Sequence, residues 1–106
     1  MMKKIETCEK NGFNEERMSN FLVHDSPYMK VLSFNFRGGQ DLPIHSHDID
    51  GQLCLVVIEG KGQFLGKDGS TSSAKPGDVL ISDISEPHGL RASTDMRVLV
   101  TIAPPI

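Results

Sequence analysis

The chain has 106 residues and a mass of 11.6 kDa, with 10 Gly, 6 Pro, no Trp and 38% hydrophobic residues. That is enough for one domain with one core, and too little for a doubly wound cofactor-binding domain beside a separate substrate domain. The formal charge of −3 and the scattered lysines and arginines argue against nucleic acid and against an anionic membrane surface as partners.

Two cysteines, Cys8 and Cys54, are too few for a disulfide framework and lack zinc-ribbon spacing. Reduced thiols, and no apolar stretch behind Lys3-Lys4, predict a cytoplasmic protein. The longest apolar run, Leu53 to Ile58, is far shorter than the roughly 18 residues of a membrane helix.

Residues 1–16 are polar and without clear period. They read as an arm with room for one brief helix, followed by the folded body at 17–106. Arg17–Val23 is the first expected strand, and Asp25-Ser26-Pro27 a turn. In Tyr28–Arg37, Tyr28, Leu32, Phe34 and Phe36 share one parity and Ser33, Asn35 and Arg37 the other. That alternation predicts a half-buried strand with the aromatic side inward. Leu42–His47 is a short extended piece that Pro43 marks as edge-like.

Gln52–Glu59 is rich in β-branched residues and apolar on both parities, as in a central strand. Gln63–Leu65 returns the chain after Gly60-Lys61-Gly62, and Asp68-Gly69 is a hairpin signal before a weak strand at Thr71–Ala74. Lys75-Pro76-Gly77-Asp78 is a strong turn. Val79–Ile81, His88–Ala92 and the strictly alternating Arg97–Ala103 complete the set, and Pro104-Pro105 ends it. No segment from residue 17 onward has helical period. Many short strands at even spacing predict an all-β sandwich or small barrel in a single domain.

Of four histidines, His45 and His47 lie two apart on an extended segment, so their rings point the same way and form a natural metal chelate. Their surroundings strengthen the signal. One tract reads Gly39, His45-x-His47, Gln52, Gly60; a second reads Gly77, Asp83-x-Ser85, His88, Ala92. Together they resemble the two motifs of the cupin family, from about residue 17 to 103. In that comparison Gln52 stands where the family has a glutamate ligand, one residue farther from Gly60 than usual. Asp83, Ser85 and Ala92 replace the Pro, Gly and Asn of the second motif.

The resemblance implies a double-stranded β-helix, the jelly-roll or cupin barrel, often paired as a homodimer. It implies that His45, His47 and His88 converge with Gln52 at one mouth on a divalent transition metal. Imidazole ligation suits zinc, nickel, iron, manganese or copper, and such a set leaves open positions for a ligand. Dioxygenase, isomerase, lyase or decarboxylase chemistry on a small acidic or diketone-like molecule follows as one reading. A non-catalytic ligand-binding or sensor module is the other, and the fold does not choose between them.

The remaining candidates have plainer readings. His24 is expected as a solvated turn residue. Cys54 shares the parity of Gln52 and is expected to face the barrel interior, inert or beside the metal. Phe34, Phe36, Val56, Val98 and Val100 read as core. Asp83 and Glu86 are candidate acid–base groups at the mouth, and Tyr28 and Met96 candidate pocket residues.

Overall fold

A computed structural model describes residues 1–10 and 12–106; Glu9 and Lys10 are described in backbone only. After one short helix, α1 (Thr7–Lys10), come nine strands, with a single 3-10 turn at Lys67–Gly69 between the fifth and sixth: β1 (Ser19–Asp25), β2 (Lys30–Phe36), β3 (Asp41–His45), β4 (Gln52–Glu59), β5 (Gly62–Leu65), β6 (Thr71–Ala74), β7 (Val79–Asp83), β8 (His88–Ala92) and β9 (Met96–Ala103), among the described residues. The strands form a five-stranded sheet, β1-β2-β9-β4-β7, facing a four-stranded one, β3-β8-β5-β6. All the pairings are antiparallel. This is the jelly-roll architecture expected from the sequence.

The turns follow from backbone chemistry. In Lys75–Asp78 the Asp78 N–H donates to Lys75 O at 3.0 Å, with Pro76 and the left-handed Gly77 (φ +91°) at the centre. Proline supplies the first central φ and glycine the second, as a type II turn demands.

The core lies between the sheets. Phe34 and Phe36 from β2, Leu53, Leu55 and Val57 from β4, and Val98 and Val100 from β9 meet Phe64, Leu90 and Ala92 from the other sheet. In β4 the inward parity is therefore Leu53, Leu55 and Val57. Gln52, Cys54 and Val56 lie on the outer face, contrary to the interior positions expected for Cys54 and Val56. Alternation fixes which residues share a face, but both faces of this strand are apolar, so the pattern does not say which is inside.

The arm accounts for a second departure. Ser33 and Asn35 lie on the outer parity of β2, yet both are buried. Asn35 Nδ2 donates to Gly12 O at 3.0 Å, and Gln40 Nε2 to Asn14 O at 2.7 Å. Phe13 lies between two guanidinium groups, with Arg37 at 4.5 Å and Arg97 at 4.7 Å from its ring centre. Residues 12–15 thus cover part of the outer sheet. Tyr28, expected inward, is 83% exposed; it lies in the turn before β2, outside the sheet's alternation.

Candidate metal centre

His45 ends β3, and His88 begins β8 directly opposite it in the register. The register of β3 shifts between Leu42 and His45, where Pro43 interrupts the strand. Such a bulge bends an edge strand and re-aims the next side chain. Gly89 makes the close approach possible: a Cβ there would stand 2.7 Å from Leu42 O and 2.9 Å from Ile44 N. His47 follows in the loop, with its N–H donating to Ile84 O at 3.1 Å.

The three rings gather on the inner side of the barrel. The ring centres of His45 and His88 are 4.5 Å apart, and those of His45 and His47 5.6 Å. His45 Nδ1 donates to Pro43 O at 2.9 Å, and His88 Nδ1 to Glu86 O at 2.7 Å. A carbonyl oxygen only accepts, so in both rings the proton sits on Nδ1. The neutral ring then presents an unprotonated Nε2, the arrangement in which histidine serves as a metal ligand. His88 is 4% exposed. Burial lowers its pKa below the ordinary histidine value, helped by the neighbouring His45 and His47 and opposed by the Glu86 carbonyl. The ring is thereby held neutral.

The rings line a small cavity of about 60 Å³ with Phe34, Leu42, Leu53, Leu55, Val100, Ile102 and Ile106. His88 also borders a larger opening of about 620 Å³ between β6 and β7, walled by Lys67, Ser70, Thr71, Ser72, Ser82 and Glu86 among others. Among the described residues, no group of three or more His, Cys, Asp or Glu side chains is already arranged to hold a metal ion.

Gln52 does not join the histidines. It is exposed on the outer face of β4, and its Nε2 donates to Asp83 Oδ1 at 3.3 Å across the β4–β7 pair. The β4 residues that line the cavity with the three rings are Leu53 and Leu55. The spacing left the choice open: six residues separate Leu53 from Gly60, as in the family motif, but five separate it from His47, where the motif has three or four. Asp83 shares the outer face with Gln52, whereas Glu86 reaches the larger opening. Met96 is fully buried. His24 is not a solvated turn residue. It lies in β1, half-buried, with a buried Nδ1.

Neither a protein-family model nor a curated protein sequence matches the chain. Solved structures do. The structure of an RmlC-like cupin protein from Desulfovibrio desulfuricans is 50% identical, with a TM-score of 0.96 and all of both chains covered. A protein with a double-stranded β-helix domain from Klebsiella pneumoniae is 21% identical, with a TM-score of 0.87, covering 97% of this chain and 91% of its own. The ectoine synthase of P. lautus is 20% identical, with a TM-score of 0.77 over 98% of this chain and 80% of its own, and it shares the fold.

Proposed function

This chain belongs to the RmlC-like cupins, and from that premise we propose that it holds a divalent transition metal through His45, His47 and His88 and binds a small acidic organic molecule there. The observation that carries the reading is the pair of Nδ1–carbonyl bonds, which turn two Nε2 atoms into acceptors beside one cavity. Two imidazoles on one ion stand with ring centres on the order of 5 Å apart, and separations of 5.6 and 4.5 Å support the reading. The donor set fits such an ion. Binding closes a ligand set that the side chains do not already form.

A bound ion would supply Lewis-acid polarisation of an oxygen on the organic molecule. The chain's own residues supply the rest. Lys67 favours an anionic group at the β6–β7 opening, with the hydroxyls of Ser70, Thr71 and Ser72 around it. Glu86 borders the same opening and is the carboxylate positioned for proton transfer. The apolar walls of the small cavity, Leu53, Leu55 and Val100, keep water from the inner side of the rings. Lyase, isomerase or dioxygenase chemistry fits a metal-held acid. A non-catalytic binding module is the second reading, favoured by Leu53, which leaves the inner wall of β4 without a carboxylate.

Pairing with a second copy belongs to the same reading. The outer face at β7 carries Val79 and Ile81, which are 55% and 58% exposed, and β7 is an edge strand. Such a face gains from being covered.

Elemental analysis of protein purified without an affinity tag tests the metal. One ion per chain is expected, and His88→Ala loses it. Removing even an outer partner of a metal-bound histidine costs about 10–100-fold in affinity, so loss of a ligand costs at least that. A variant that retains its metal sinks the ligand set. With metal established, turnover of a panel of small acids, against their affinity without turnover, separates the two readings.

A further inference from the structure

Strand β9 ends at Ala103, opposite Gln52 at the start of β4. Pro104 and Pro105 have no N–H to give to a ladder, so residues 104–106 cannot extend the pairing with β2 or β4. The root of this segment is held by packing instead. Pro104 lies on Gly51, where a Cβ would stand 2.5 Å from Pro104 Cδ. Gly51 O accepts from the Ile84 N–H at 3.0 Å, and Ile84 O accepts from the His47 N–H. The segment and one of the three histidines thus rest on the same stretch of chain.

At its far end the segment meets the histidine cavity. Ile106 lines that cavity together with the three rings, and the Nζ of Lys30, on β2, donates to the main-chain oxygen of Ile106 at 2.9 Å. The other apolar residues of the wall all lie on strands and are buried or half-buried, whereas Ile106 is 40% exposed. A strand residue leaves the wall only with its ladder. Ile106 is held by partial burial of one side chain and by one hydrogen bond in solvent, both small. The wall at Ile106 is therefore the part of the cavity that opens at least cost.

We infer that residues 104–106 form a strap over the histidine cavity. Pro104 is its fixed root, Ile106 a plug that swings out to admit a small molecule to the rings, and Lys30 the latch that returns it. The inference rests on the proposed role of the histidines as the ligand site, but the motion itself needs no metal.

The test is carbethoxylation of the metal-free full chain by diethyl pyrocarbonate, read residue by residue by mass spectrometry. His47 is exposed and serves as the internal reference, while His45 is half-buried and does not border the β6–β7 opening. Ile106→Ala is expected to speed reaction at His45 about tenfold relative to His47, the factor that burial of over half an isoleucine side chain supports. Lys30→Met is expected to speed it about threefold, as for an exposed hydrogen bond. Ile106→Leu, which refills the wall, is expected to react as the parent does. A parent rate in Ile106→Ala, or an Ile106→Leu rate as fast as that of Ile106→Ala, would overturn the strap. Metal content is measured separately. A chain that shows these rates and holds no metal keeps the strap and loses the metal centre; one that holds metal without these rates loses only the strap.

Discussion

At Leu53 a single side chain decides what the three histidines face. It is 5% exposed and inward on β4, next to the rings of His45, His47 and His88. Leu53→Glu brings a carboxylate to that wall. In the metal-free protein the change is expected to cost about 2–4 kcal/mol, through lost packing and a buried charge without a fixed partner. The same variant is expected to bind metal more tightly than the parent. Chemical denaturation with and without metal measures both, and a variant equally unstable in either condition would mean that the carboxylate does not reach the ion. Gln52→Ala is expected to leave metal affinity unchanged, because that side chain meets Asp83 on the other face.

His88 gives these contacts a pH signature. Its pKa is lowered in the folded chain, mainly by burial, so the unfolded chain binds its proton first as pH falls. The folded state then carries fewer protons than the unfolded one, and stability rises with pH across this range. The contribution is complete above the unfolded histidine value of about 6.5 and drains away as pH drops below it toward the lowered folded value. Denaturant midpoints of metal-free protein should fall between pH 7 and 5 more steeply than those of His88→Phe. Parallel slopes would contradict the assignment.

Among the elements, the connections are held more firmly than the strands' polar faces suggest. Asp95, in the turn before β9, accepts from the Gly38 N–H at 3.0 Å and from Arg37 Nη1 at 2.7 Å. These bonds, the Gly38 N–H first, hold its carboxyl below the usual range. Gly60 approaches the same turn from β4, with φ +85° and with space for a Cβ only 2.0 Å from Asp95 O. Gly60→Ala therefore combines left-handed strain with a backbone collision, and a loss of about 3–5 kcal/mol is expected. Gly39 has a similar φ of +93° but open space around it. Gly39→Ala should cost only the strain, about 1–2 kcal/mol. Urea denaturation of the two variants compares them, and equal losses would show that the collision is relieved.

These connections were legible in the sequence because glycine and proline carry backbone geometry directly. β4, β6 and β8 also run where their composition puts them. What alternation did not carry is the choice of inner face in β4, since Cys54 and Val56 are as apolar as Leu55. That ambiguity let Gln52 stand in for Leu53. Nor did it carry the covering of Ser33 and Asn35, which depends on a distant segment folding back over the sheet.

For the molecule as a whole, the outer surface of the five-stranded sheet divides in two. The arm roofs the half at β1 and β2, and the half at β4 and β7 shows Val79 and Ile81. If two copies meet on the open half, Ile81→Asp should shift sedimentation from dimer to monomer while metal content stays the same. A dimer undisturbed by that change would put the contact elsewhere. No helix among the described residues is long and apolar enough to cross a membrane.

The bulged β3 has a kinetic consequence. His45 sits at the end of a five-residue strand at the edge of its sheet, and His88 lies on the partner strand. Short edge strands open locally at far less cost than global unfolding. Peeling β3 from β8 separates the two rings while the rest of the barrel stands. The residence time of anything gripped between them is then set by the breathing of one short strand, and amide exchange at Leu42 and His45 would report its rate.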